Sequence, residues 1–340
     1  MNALRVTGWR VTAWIGACLV WCWVTTAHAN ALFRSFDLSV PGALPTRVIV
    51  TPSGEVWFVM TNANRIGRIQ PDLEKMTEYE IPTKQSTPTD LLVDGAGMIW
   101  FVEQDANQLG RLDPKTLSFK EYNIPTFNSL PARMVWDGEG AIWFTEHYSN
   151  RLGRFDMSSG TFQEFPIPTP DSRPSGITMD QQGRVWFVET NGNKLGCMTP
   201  KDGRFTFEEH ALPTAFSVPR DLVRDNQGIL WLAARSHQEL LSFDVTSHTF
   251  ETFKLPSGGV IEGLAADKTG RLLYYSLGRT GKMGMFDTVK KVFTAFDSMS
   301  NNSRPFGVEV DAKGNIWYTD IAKNSLVKGN GESVSQLLNR

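Results

Sequence analysis

One phrase returns at a fixed interval along this chain. IWFVEQDANQLGRLDP at residues 99–114 comes back as IWFTEHYSNRLGRFDM at 142–157 and as VWFVETNGNKLGCMTP at 185–200, each 43 residues after the last. Self-similarity at such a period means stacked structural units, each too small to bury its own apolar face. The tryptophans extend the series: Trp57, Trp100, Trp143, Trp186, Trp231 and Trp317 stand 43, 43, 43, 45 and 86 residues apart. The double gap holds a degenerate copy, RLLYYS (271–276), with Leu273 expected in the Trp position. That makes seven copies.

Each copy has one grammar. A proline and an apolar stretch come first: PTRVIV, PTDLLV, PARMVW, PSGITM, PRDLVR, the proline-less IEGLAA, and PFGVEV. A turn ending in glycine follows (TPSG in the first copy, D-x-x-G in the rest), then the Trp strand, a polar loop with Asn, I/L-G-R, and a closing strand such as KEYNIPT (120–126). Four short strands per unit, bounded by Gly, Pro, Asp and Asn, spell a four-stranded antiparallel blade. Strong helix signals are absent after the first thirty residues. The fold class is therefore all-β, a seven-bladed β-propeller with repeats near 45–87, 88–130, 131–173, 174–218, 219–260, 261–304 and 305–330. FRSFDLSVPG (33–42) reads like a closing strand yet precedes the first copy, while the seventh copy runs out near residue 330. The N-terminal segment is expected to supply the outer strand of the last blade and close the ring, which removes two free edges. Residues 331–340 are expected to be a frayed tail.

The first 29 residues are of another kind. They carry Arg5 and Arg10 and no acid, then the apolar run VTAWIGACLVWCWV, then TTAHA. This spells a secretory signal peptide cleaved after Ala29, with a lone membrane anchor as the rival reading. Cleavage moves the net charge from −2 to −4 and leaves Cys197 as the one cysteine, so no internal disulfide can form. The expected location is the periplasm or the exterior, with no span after cleavage and a monomeric state. Neither charge sign dominates enough to suggest nucleic acid as a partner.

In a propeller the proline segments and the residues just after W-F-x meet on one rim around the central channel, and the expected partner is a small molecule or peptide bound there. A residue found in every copy is explained first by the blade, so departures from the pattern are the better candidates. On the rim these are Arg47, Asp90, Arg133, Arg220, Asp221, Glu262 and Phe306. Arginines beside acids can grip a polar ligand, or can simply satisfy one another. The acids after W-F-x, namely Glu103, Glu146, Glu189 and Asp320, either cap their own loops or ring a divalent cation, with Asp320 and Glu146 as the metal candidates. His147 is a titratable candidate in the same loops, and His237 lies in the corresponding loop of the fifth copy. His210 and His248 are expected on the outer surface, and Cys197, in an arginine slot, as a structural residue.

The phrase W-F-[TV]-E-x-x-x-N-[KRQ]-[IL]-G-R, with strands ending [IL]-P-T, resembles the streptogramin lyases over residues 33–328. It is also similar to NHL-type repeats. That resemblance implies a lyase opening a cyclic depsipeptide: a base takes the proton beside the ester carbonyl and a magnesium ion stabilises the enolate. It also implies essential histidines in the proline segments of the last two blades. Those segments here read VIEGL and RPFGV, so Glu262 and Phe306 stand in their places, with Arg304 where a carboxylate is expected. Glu262 is then the candidate base and Asp320 the candidate final acid. A binding propeller that uses the same rim without turnover is the alternative.

Overall fold

The computed structural model describes residues 32–201, 204–256, 258–300 and 302–336. The segment read as a signal peptide lies outside them. Among the described residues no helix is long and apolar enough to cross a membrane.

The strands form seven four-stranded antiparallel sheets, each in simple up-and-down order except the last. Blade one runs Pro45–Val50, Val56–Met60, Arg65–Gln70 and Lys75–Glu80. Blade seven comprises Pro305–Val310, Ile316–Asp320 and Ser325–Gly329, and its outer strand is Phe33–Asp37 from the other end of the chain. The closing register runs from Phe33 opposite Gly329 to Asp37 opposite Ser325. The edge strand on each side is thereby paired and the ring has no open seam.

Each blade is held to the next by one bulky slab. Trp57, Trp100, Trp143, Trp186, Trp231 and Trp317 are all at most 5% exposed. The sixth slab is Tyr274, not Leu273. Tyr275 lies against Gly284 as Phe101 lies against Gly110, and Tyr274 pairs with Ala265 as Trp100 pairs with Leu92. An extra residue in the turn, Arg271, displaces the alignment by one. With Tyr274 in place, the interval from Trp231 and the interval to Trp317 are both 43. The glycine of I/L-G-R has the same explanation in five blades. The ring after the slab lies flat on it, and a Cβ at Gly67 would stand 2.1 Å from Phe58.

The D-x-x-G turn does more than reverse the chain. Asp225 Oδ1 accepts from the backbone of Gln227 and Ile229, while Oδ2 accepts the indole N–H of Trp231 at 2.8 Å. Asp94, Asp180 and Asp311 hold Trp100, Trp186 and Trp317 in the same way. In blade one Thr51 takes the Asp place, and the buried indole N–H of Trp57 has no partner among the described residues. The loop asparagines are equally fixed. Asn64, Asn107, Asn150, Asn193 and Asn324 all sit at φ between 53° and 60°, a conformation Asn tolerates unusually well. Asn107 donates to the carbonyls of Ile124 and Thr126 and accepts from Ser129, closing the exit loop of its own blade.

The chain does not fray directly after residue 330. Asn330 caps a helical turn, Gly331–Ser335, by accepting from Ser333 N–H at 2.9 Å. Val334 is fully buried beside Phe33, Val308 and Tyr318. The buried side chain of Val334 and the Asn330 cap outweigh the small entropy of ordering one turn.

Asp225→Ala should lower stability by about 3 kcal/mol, because a buried indole donor and two amides lose a charged acceptor. Thr51→Asp should raise it by about 1 kcal/mol by supplying the acceptor that Trp57 lacks. Urea midpoints of the two variants check both signs.

Candidate functional site

Every inner strand breaks register directly after its first residue, at the same rim: between Pro45 and Arg47, Pro88 and Asp90, Pro131 and Met134, and likewise in the other four. Such irregularities re-aim side chains. They leave the second residue of each inner strand, and in four blades the third as well, outside the blade's own pairing, and the second and third positions hold all seven departures read from the sequence.

The third positions brace the channel. Arg47 of blade one meets Asp90 of blade two (Nε to Oδ1, 3.2 Å) and Asp221 of blade five (Nη1 to Oδ2, 3.6 Å). Burial works against the Arg47 charge, but Asp221, Asp90 and Glu309 outweigh it and raise its pKa. Asp90 also faces Arg133 at 3.5 Å and accepts the amide of Met134; Asp221 accepts the amide of Leu264. Each aspartate thus ties its blade to the next inner strand. Arg47, Asp90, Arg133 and Asp221 converge, and they largely satisfy one another.

With Arg133, the second positions of six blades line a cavity of about 280 Å³: Thr46, Thr89, Ala132, Ser175, Arg220 and Phe306, together with Gln104 and Ile321. The seventh, Glu262, is buried. A larger hollow of about 480 Å³ lies around Pro52, Leu73 and Asp311, but its lining is mostly the turns of blades one and seven. The mouth cavity is lined by residues that differ from copy to copy, and those are the residues free to serve a ligand.

Arg220 stands out in that mouth. Its side chain is exposed and, among the described residues, its guanidinium makes no ion pair or hydrogen bond. Its surroundings strip water from it, and Arg133 and Arg235 repel it, so its pKa falls below the ordinary arginine value. Arg235 is a partner that the sequence did not single out. It occupies the place after the W-F-x-E acid and bonds Glu262 at 2.6 Å. The Glu262 side chain is only 4% exposed. It lies beside Arg304 and the Pro305 carbonyl, with Gly278 leaving the room they occupy.

His147 fills a repeated structural place. Its Nδ1 is 3.0 Å from the Pro174 carbonyl, as Thr61, Gln104 and Thr190 meet the carbonyls of Pro88, Pro131 and Pro219. A carbonyl only accepts, so Nδ1 carries the proton. Burial, opposed by the Pro174 carbonyl, leaves the ring's pKa lowered. His237 meets the Ala215 carbonyl through Nε2 at 2.9 Å. Cys197 is buried and its thiol is pushed up to about 12 by burial, which makes it inert.

The acids after W-F-x do not form a ring about the channel. Glu103, Glu146 and Glu189 are wholly buried, each within its own blade and near a second carboxylate: Glu121, Glu164 and Glu209. Those outer-strand partners bind the exit loops of the preceding blades, as Glu121 does at Thr83. Burial first, and Glu121 second, push Glu103 up to about 8. Burial takes Glu146 and Glu189 to about 7, against the hydroxyl of Ser149 for the former. Asp320 accepts the amides of Arg304, Ala322 and Lys323 through Oδ1. Its other oxygen is buried without a partner among the described residues. Asp320 and Glu146 belong to blades seven and three, and Glu262 is paired with Arg235. Among the described residues no three potential metal ligands converge at the mouth, so the side chains present there do not fit a shared divalent cation.

Fold and mouth together define a class: a seven-bladed propeller with an arginine-rich channel mouth. The profile of the virginiamycin B lyase family matches residues 22–243 and 116–334. The chain belongs to the virginiamycin B lyase family. None of the curated proteins matches it in sequence. Virginiamycin B lyase from Staphylococcus aureus is 28% identical over 87% of this chain and 98% of that one, with a TM-score of 0.80. A catalytically inactive histidine-to-alanine variant of that enzyme with quinupristin matches equally, at 28% identity, 87% and 98% coverage and a TM-score of 0.80. Hydrazine synthase of Kuenenia stuttgartiensis shares the fold alone, at 13% identity, 87% and 97% coverage and a TM-score of 0.67.

The buried acids set a pH dependence. A carboxyl with a raised folded pKa stabilises the fold most when protonated. That contribution is present below the unfolded value near 4.5 and is lost as pH rises towards 7 to 8. The melting temperature should therefore fall between about pH 5 and 8. Glu103→Gln, Glu146→Gln and Glu189→Gln combined should flatten that decline in thermal scans.

Proposed function

We propose that this protein is an exported ligand-binding propeller that seats an acidic group of a small molecule or peptide at the channel mouth. The observation that carries this reading is Arg220: an exposed guanidinium in a concave site, flanked by Arg133 and Arg235, with no carboxylate of its own. A guanidinium in that state favours a carboxylate or phosphate, which it can meet with two parallel hydrogen bonds. Phe306 in the same wall offers an apolar surface for the body of the ligand. The charged form of Glu262 is occupied by Arg235, which disfavours it as a general base.

Family membership supports a second reading, in which the same mouth opens a cyclic depsipeptide or another ester or lactone. The relative solved with quinupristin makes that compound class the first substrate to try. Glu262 would act as base after its arginine swings away.

Two measurements separate the readings. Thermal-shift titration should show dicarboxylates and acidic peptides raising the melting temperature where their amides do not, with Arg220→Gln removing the effect. Equal responses to acids and amides would sink the anion reading. Incubation with quinupristin, with and without magnesium, followed by mass detection, should leave the compound intact. A ring-opened product of unchanged mass, absent with Glu262→Gln, would establish the lyase instead.

A further inference from the structure

The outer lip of a gap between blades can bring together three places: two alternate residues on the outer strand of one blade and a left-handed turn residue of the next. In the gap between blades five and six these are Glu251, Phe253 and Lys291. Lys291 Nζ bonds Glu251 at 2.9 Å and sits 4.9 Å over the Phe253 ring. Between blades seven and one they are Arg34, Phe36 and Glu74, with Arg34 paired to Glu74 and 5.3 Å over Phe36. A positive charge therefore already lodges at this lip twice, between a carboxylate and an aromatic face.

Between blades four and five the same three places hold Glu208, His210 and His248. His210 takes the aromatic slot and stacks on Trp186 at 5.9 Å, as Tyr122 stacks on Trp100 at 5.7 Å. His248 takes the turn place at φ 57°, and the two imidazoles meet edge to face at 5.1 Å. One ligand atom from each of the three lies within 4.8 Å of the others. Among the described residues neither Glu208 nor the His248 ring has a hydrogen-bond or ion-pair partner. His210 Nε2 is shut off from solvent, also without a partner. Two of the chain's five histidines thus depart from the repeat at one point in space, on two different blades.

We propose that Glu208, His210 and His248 form a binding site for a zinc-class divalent ion that bridges blades four and five. Two imidazoles and one carboxylate suit zinc far better than magnesium or calcium, which prefer oxygen alone. Tetrahedral ligation needs ligand atoms about 3.3 Å apart. Glu208 and His248 are exposed and unpaired, so small side-chain rotations close the distance. Water completes the fourth position. The ion takes the place that Lys291 Nζ fills one gap further on, and the site is independent of the channel mouth.

The test is calorimetric titration of Zn²⁺ into protein purified without a histidine tag and stripped with chelator. One ion per chain should bind, Mg²⁺ should not compete, and zinc should raise the melting temperature by a few degrees. His210→Phe restores the aromatic residue that Phe165, Phe253 and Phe296 supply in other blades. His248→Lys restores the arrangement of Lys291. Both variants should keep the metal-free melting temperature and lose at least tenfold in zinc affinity. No zinc binding, or undiminished affinity in both variants, would overturn the site.

Discussion

Everything in this molecule hangs on one antiparallel pairing, Phe33–Asp37 against Ser325–Gly329. Six blades can stack slab on slab without it, but a row of stacked blades ends in two open edges and has no centre. The pairing turns the row into a ring. Only a ring gives the inner strands a common axis, and only that axis brings residues of blades one, two and five within reach of one another. Val334 and the capped turn behind Asn330 pack over the same seam, so the terminus that follows the last strand reinforces the closure.

The ring was legible because it is periodic. Tryptophans at a 43-residue interval, turn residues at fixed offsets and an orphan closing strand before the first copy leave little else to build. The single misplacement, Leu273 for Tyr274, arose at an inserted turn residue, where a letter-by-letter alignment slides and the interval does not. The roles of Asp225 and its equivalents were half legible. A turn aspartate is expected to cap backbone amides, but its second oxygen reaching an indole six residues on depends on the three-dimensional turn.

The mouth was legible as a list and not as a network. Comparing copies picked out Arg47, Asp90, Arg133, Arg220, Asp221, Glu262 and Phe306; the structure puts Arg133, Arg220 and Phe306 in the mouth cavity, Arg47, Asp90 and Asp221 in the brace, and Glu262 in a buried pair with Arg235. What the comparison could not show is who satisfies whom. Arg235 neutralises Glu262 from a neighbouring blade, while Arg220 is left without a partner among the described residues. His147 looked exceptional by residue type, yet it performs the hydrogen bond that Thr61, Gln104 and Thr190 perform elsewhere. Chemistry that differs in letter and agrees in role is invisible until the acceptor carbonyl is in view.

Arg47 has one further meaning. It is a spoke: from blade one it reaches a neighbour and also a blade on the far side of the axis. Its length therefore sets the diameter of the hub. Blade repeats invite duplication and loss, because each copy is an interchangeable unit. A ring with one blade more would move Asp221 away from the guanidinium, and a ring with one fewer would crush the two together. In either case buried charges would be left uncompensated. The spoke makes seven the only census this particular hub accepts, so any descendant with another blade number would first have to give up its central arginine.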